Sequence, residues 1–543
     1  MRALTRSTSL TALTSLVILL GLSGAAEAST PIEFPDNGVA QFSRGGAWLA
    51  TATDPLAAFY NPAALATQPT SLGVGMNFVT QKICFQRQDP GGEPVYPDPS
   101  QRGNADPYPE VCNEHSGFPR FIPNLAFNWR VSERLAIGVA VSPPASLGAV
   151  EWPLFVKTTN RVPVEAERDI PAPQRYLSTG LVGTILMPTL SVGYAVTDQL
   201  RVGAGFISGL ALLDLDAVSM STVAASRPHD EFGNDNLSQL SVKDLFIPGF
   251  VVSAHASVTD RLELAGWFKW TDAIRASGDA AITAYLNRNG APTRVCSQSE
   301  VDEAVALTPE GEVPNLSCSV TTRSEDVVGK DSVKVKITVP MEARIGVRYH
   351  VPAGPASGLL AERFRADTYS VRDPLRDDVF DLELNLTWSN NSAGSSIDVE
   401  FTEPFQPLGL PGLVPKDASR PTGWKDSFGV RLGGQYNVQR GRLGLRAGTW
   451  VETPATQDEY LTVTGVTGLR GGVGGGFVTR LGVVDVEAGY QFLWNSGLDN
   501  GGEGKMPAIA GSGSPDDRSF HAINGGRVTQ RGHVVSIGGV ARF

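Results

Sequence analysis

After its first thirty residues this sequence of 543 residues has no apolar run able to cross a membrane as a helix, which takes about 20 consecutive apolar residues. It also lacks any Lys/Arg cluster that would track a phosphate backbone. With 45 Lys and Arg against 56 Asp and Glu, the formal net charge is −11, so nucleic acid is a poor candidate partner. Cysteine is scarce as well: four residues fall in two close pairs, Cys84 with Cys112 and Cys296 with Cys318. There is no short CxxC spacing and no His near the second pair, so no metal and no other cofactor is expected. Yet the chain is far too long for one ordinary soluble domain.

What the sequence does have is period-two alternation over long stretches. From Val333 to Tyr349 the odd positions are apolar (Val333, Val335, Ile337, Val339, Met341, Ala343, Ile345, Val347, Tyr349), while the even ones include Lys334, Lys336, Glu342, Arg344 and Arg348. Soluble strands average about five or six residues. A strand tilted across a bilayer needs roughly nine to eleven, apolar outside and polar within. The pattern recurs in Phe380, Leu382, Leu384, Leu386 and Trp388, in Phe428, Val430, Leu432, Tyr436 and Val438, and in Val484, Val486, Ala488, Tyr490, Phe492 and Trp494. Many such strands require a closed sheet with two chemically distinct faces.

Alternation and turn residues predict strands near 71–83, 121–131, 134–142, 176–196, 199–217, 243–258, 261–276, 333–350, 379–391, 425–438, 442–452, 468–479, 482–495 and 530–543. The expected fold is therefore all-β, a 14-stranded antiparallel transmembrane β-barrel over 67–543. Short links such as Thr197-Asp198, Thr259-Asp260 and Gln439-Arg440-Gly441 read as periplasmic turns, and the long insertions between them as extracellular loops. Arg2 and Arg6, an apolar run from about Leu10 to Leu22, and Ala26-Glu27-Ala28 read as a signal peptide over 1–28, leaving Ser29 first in the mature chain. An exported barrel implies the outer membrane of a Gram-negative envelope. Its lipid is then one partner, and the barrel-assembly machinery, which the terminal Phe543 suits, another. Export favours a disulfide within each cysteine pair.

Residues 29–66 do not alternate. They hold Ser43-Arg44-Gly45-Gly46-Ala47-Trp48, Asp54-Pro55 and Leu56-Ala57-Ala58-Phe59-Tyr60-Asn61-Pro62-Ala63-Ala64-Leu65, and read as a compact plug. The Ser-Arg-Gly-Gly-Ala stretch followed by Phe59 to Leu65 resembles the N-terminal hatch of the FadL/TodX family, outer-membrane transporters of long-chain fatty acids and hydrocarbons. The resemblance continues through Trp424 to Phe428, Arg431 to Tyr436, Leu445 to Gly448 and Gly532 to Ser536, and so covers essentially the whole mature chain. It implies passive uptake of a hydrophobic small molecule, caught at the outer loops, held beside the hatch and released sideways through a gap in the wall.

On that reading Phe42, Trp48, Phe59 and Tyr60 are candidate ligand contacts, or else anchors of the plug to the wall. Arg44 is placed to pair with a ligand carboxylate or with a lumen acid such as Asp381, and Asn61, Pro62 and Ala63 shape the turn whose displacement would open the lumen. Proline lacks a ladder donor, so Pro143, ahead of Pro144, Pro188 and Pro340, is the candidate for the lateral opening. Ser253, His255 and Ser257 share one strand face, as do Asp381 with Glu383 and Asp485 with Glu487, but no oriented third member accompanies them. They read as lumen lining; no catalytic residue and no enzymatic activity are expected. The glycines from Gly471 to Gly476 have no following helix and read as a close-packed or bulged strand, and Asp499 to Glu503 as a solvated loop. Competing readings are an open diffusion porin, a barrel enzyme acting on lipids, and a loop-built adhesin.

Overall fold

The computed structural model describes residues 36–97, 105–116, 120–141, 148–160, 166–220, 235–284, 286–288, 291–309, 312, 314–353, 371–409, 414–507 and 522–543. Fourteen strands form one antiparallel wall. In chain order they are β1 (Ser71–Asp89), β2 (Arg120–Arg130), β3 (Leu135–Val141), β4 (Thr189–Ala195), β5 (Leu200–Met220), β6 (Asp235–Ser257), β7 (Leu262–Thr271), β8 (Glu342–Pro352), β9 (Asp378–Ser389), β10 (Ser427–Gln439), β11 (Leu443–Glu452), β12 (Arg470–Leu481), β13 (Val484–Asp499) and β14 (Gly526–Arg542). Each pairs with its sequence neighbour, and β14 closes on β1 from Ser71↔Arg542 to Arg87↔Gly526. Closure leaves no sheet edge, the condition under which strands can sit in hydrocarbon.

The pairing of β9 with β10 shows how alternation becomes two faces. Phe380↔Tyr436, Leu384↔Leu432, Leu386↔Val430 and Trp388↔Phe428 lie outside, while Asp381↔Gln435 and Asn385↔Arg431 lie inside and are buried. Exposed Trp129, Tyr194, Tyr349, Phe380 and Tyr436 mark the periplasmic ends of their strands, and exposed Phe121, Trp270, Phe428 and Trp494 the opposite ends. This is the double aromatic girdle of a membrane barrel.

All fourteen expected strands are present, but three are divided. The stretch expected over 333–350 is two strands, Val333–Ile337 and β8, separated around Pro340. Its odd positions change environment at the break: Val335 is 1% exposed and packs in an internal core, whereas Ile345 is 62% exposed on the lipid side. One unbroken alternation thus serves two strands in different parts of the wall. The stretch 176–196 is divided at Met187-Pro188 into Gly180–Leu186, paired with Leu210–Asp216 of β5, and β4, paired with β3 and β5. The stretch 261–276 ends as β7 at Thr271, and Ile274–Ala284 continues as a separate strand on β6.

Beyond the membrane band, Ile274–Ala284, Val333–Ile337 and Ser396–Phe401 extend the wall outward from β6. Cys84 of β1 is bonded to Cys112, whose short strand pairs directly beside it, and Cys296 is bonded to Cys318 next to the helix Gln298–Leu307. Both bridges lie in the extracellular part, so reduction is expected to leave heat-modifiable gel migration of the barrel unchanged while speeding protease cleavage between Cys84 and Cys112. Collapse of the fast-migrating form on reduction would show that the wall itself depends on the bridges.

Candidate functional site

The leading segment, described from Asp36 onward, fills the bore. It comprises α1 (Val39–Ser43), α2 (Ala57–Tyr60) and a 3-10 turn, Pro62–Thr67, and every residue of these three elements is buried. The turn after α1 is made by Gly45 and Gly46, with φ 59 and 77, a conformation that costs glycine little; the Gly46 N–H closes it onto the Gln41 carbonyl at 2.8 Å. Asp54 then starts α2 by accepting from the Leu56 N–H at 2.8 Å. Asn61 donates from Nδ2 to the Leu49 carbonyl at 2.7 Å, and Ala63 donates its N–H to Ser253 Oγ on β6 at 2.8 Å. The Asn61-Pro62-Ala63 turn is therefore tied both to the segment and to the wall.

One side of the segment is held by charge. Asp36 lies between Arg344 of β8 (3.0 Å) and Arg431 of β10 (3.3 Å), and Arg431 continues to Glu452 of β11 (2.7 Å). Arg44 pairs with Asp381 of β9 and also donates to the Ala47 carbonyl and Thr51 Oγ1. Glu383, two residues along β9, accepts from the N–H groups of Ala50 and Thr51, both at 2.8 Å, and from Thr51 Oγ1 at 2.6 Å. Of the two pairings open to Arg44, the structure displays the lumen acid. The paired carboxylates of β9 are thus a receptacle for the segment, while Asp485 is engaged by Arg480 and Arg542, and Glu487 by Arg446. Ser257 accepts from Arg201, and His255 is fully buried beside Arg372, so the residues that resemble a catalytic set make lumen contacts.

The residues that pattern reading missed are wall glycines. A Cβ on Gly433 or Gly448 would lie 2.0 or 2.1 Å from backbone atoms of Arg44, one on Gly474 2.2 Å from the Phe42 carbonyl oxygen, and one on Gly203 2.2 Å from the Ala63 nitrogen. These inward positions are bare because the segment's main chain rests on them. The available signal was glycine recurring at inward positions on several strands, of which only the run at Gly471 to Gly476 stood out.

The aromatic candidates divide into two groups. Phe42 packs with Val79, Ile122, Trp450, Leu493 and Val534. Trp48, Phe59 and Tyr60 join a larger apolar cluster, in which Phe59 meets Tyr60 edge-on at 4.9 Å and Trp267 Nε1 donates to the Phe59 carbonyl at 2.8 Å. Arg344 stacks over the Tyr60 and Trp267 rings at 5.6 and 5.1 Å. Pro143 and the stretch 1–35, which includes the residues expected to form a signal peptide, lie outside the described residues.

A closed wall, apolar outside and ionic within, whose bore is occupied by its own leading segment, defines an outer-membrane β-barrel of the plugged type. No family profile matches the sequence, and no curated protein does. Solved structures do share the fold. A Pseudomonas aeruginosa FadL homologue is 15% identical over 94% of this chain and 99% of its own, with a TM-score of 0.60. A Pseudomonas putida toluene transporter, TodX, is 12% identical over 95% and 100%, with a TM-score of 0.54. The Ralstonia pickettii toluene transporter TbuX is 15% identical over 94% and 99%, with a TM-score of 0.52. The chain has the FadL/TodX fold.

Removing one partner from a buried ion pair costs about 3–5 kcal/mol, because the other charge stays buried. Asp381→Ala takes from Arg44 its nearest carboxylate and leaves it only Glu383 at 3.9 Å, while Arg348 keeps Glu263 and Asp378, and Gly433→Val pushes the Arg44 backbone off its seat. Both variants are expected to make residues 36–66 cleavable in limited proteolysis at least tenfold faster than in the parent, with heat-modifiable migration retained. Equal cleavage rates would show that these contacts do not hold the segment.

Proposed function

We propose that this protein is an outer-membrane channel for passive uptake of hydrophobic molecules, with long-chain fatty acids or aromatic hydrocarbons as cargo. In this reading residues 1–28 are a signal peptide removed on export, 29–66 form the gating hatch, and 67–543 form the wall, which the barrel-assembly machinery inserts. The observation that carries it is a continuous apolar cluster inside the wall. Phe59, Tyr60 and Trp267 at the segment belong to the same cluster as Ile207 and Leu213 of β5, Val242, Ile247 and Val251 of β6, and Val335, Ile337 and Val339 in the outward extension.

An open porin has no use for such a lining, since ions and sugars gain nothing from it. A hydrocarbon chain gains about 0.8 kcal/mol for each methylene taken out of water, so an apolar cluster that reaches from the outward extension to the hatch favours such a cargo. Phe42, Trp48, Phe59 and Tyr60 are the contacts assigned to the ligand at the hatch, with Asn61, Pro62, Ala63 and Arg44 as the part that moves. Release is assigned sideways into the membrane, at the wall near Pro143. The reading is supported by the toluene transporters TodX and TbuX and by CymD, a monoaromatic hydrocarbon channel, which share the fold.

The test is uptake and conductance measured together. Cells bearing the parent protein are expected to take up radiolabelled oleate or toluene saturably, while the purified protein in a planar bilayer shows almost no steady ion current. Deleting residues 36–66 is expected to open a large steady current and abolish saturable uptake. A parent protein with large steady conductance and no dependence of uptake on either probe would overturn the proposal in favour of a porin.

A further inference from the structure

Five of the links on the periplasmic side are two to four residues long: 131–134, 196–199, 258–261, 440–442 and 482–483. That length suffices to join antiparallel neighbours. The sixth, between β8 and β9, runs from 353 to 377. Its described final part, Val371–Asp377, does not hang below the barrel but turns into the mouth, where Pro374 and Leu375 of the short helix Pro374–Asp377 are buried.

The anchors of this stretch lie on well-separated strands. The Arg372 guanidinium pairs with Glu263 of β7 and lies 3.4 Å from His255 Nε2 of β6. Asp373 accepts both Nη groups of Arg480 on β12, at 2.5 and 3.1 Å. Asn437 of β10 donates to the Pro374 carbonyl at 2.7 Å, and the Gly441 N–H of the β10–β11 turn to the Leu375 carbonyl at 2.8 Å. From β6 to β12 is six steps around a wall of fourteen strands, close to opposite sides. At its near end the Arg372 N–H donates to the Thr67 carbonyl at 2.8 Å, on the last residue of the 3-10 turn that carries Pro62 and Ala63.

We propose that residues 371–377 are a strap drawn across the periplasmic mouth that latches the end of the leading segment from below. The segment is then held twice: from the side by Asp381, Glu383, Arg344 and Arg431, and from beneath by the strap. Movement of the Asn61-Pro62-Ala63 turn toward the periplasm requires the Arg372 bond to Thr67 to break. A barrel whose neighbouring links are so short needs no such stretch for closure, and its half-buried ion pairs at both ends give it a fixed course.

The latch uses the backbone of Thr67, so its side chain can serve as a reporter. In the full chain carrying Thr67→Cys, reconstituted in liposomes, reaction with a membrane-impermeant maleimide is expected to be slow. Adding Arg372→Ala with Asp373→Ala is expected to speed it about tenfold, and Arg480→Ala alone severalfold. Arg376→Ala, which alters a largely exposed side chain of the same stretch, is expected to change nothing. Heat-modifiable migration identifies the folded barrel in each case. Rates within twofold of the parent in both strap variants would overturn the strap, as would equal acceleration by Arg376→Ala. The readout needs no cargo, so absence of hydrophobic uptake in the parent would count against the channel proposal and leave the strap standing.

Discussion

Closure of the hydrogen-bond ladder is the constraint on which everything else rests. In hydrocarbon an unpaired backbone N–H or C=O costs several kcal/mol, and seventeen successive residues of β1, from Ser71 to Arg87, find partners on β14. Once the sheet is a cylinder, the side-chain period of two sorts every strand into a lipid face and a lumen face. The lumen face must then deal with its own polar groups. Here it does so with ion pairs and with the leading segment, whose backbone and side chains satisfy acids and arginines that would otherwise be stranded.

That coupling explains which parts of the protein were legible in its sequence. Alternation reports a two-faced strand regardless of what covers each face, so the existence of fourteen strands followed directly from it. It cannot say where one strand of the wall ends and the next begins, because the period is unchanged across the break. Val335 and Ile345 occupy equivalent places in one pattern, yet one is packed within the extracellular extension and the other meets lipid. The only local sign of the change was Pro340, and at 176–196 it was Pro188.

The plug region was legible as a departure from alternation and through a short stretch of familiar residues, but its seating was not. Glu383 and Asp381 belong to the same strand pattern as any lumen acid; their role as acceptors for Thr51, Ala50 and Arg44 depends on a pairing across more than three hundred residues of chain. Gly433 and Gly448 carry the complementary information, since an absent side chain on an inward face marks where another backbone lies. The stretch 371–377 left no such mark. Arg372, Asp373 and Pro374 read as an ordinary polar turn, and only the contrast with links of two to four residues makes it stand out.

The division of labour inside the bore has a mechanical consequence. On the β8 to β11 side the segment is fastened by directional, charge-assisted bonds, which are strong only within a narrow geometry. On the β5 to β7 side, Phe59, Tyr60, Ala64 and Leu65 rest mainly on apolar side chains, where contact energy depends on area, and hydrogen bonds such as that from Trp267 Nε1 to the Phe59 carbonyl are fewer. The segment is thus fixed by directional bonds at Asp36, Arg44 and Thr51 and mainly by apolar contact from Phe59 to Leu65. The link between Ala63 and the wall there is one hydrogen bond to Ser253, a contact of about 1 kcal/mol.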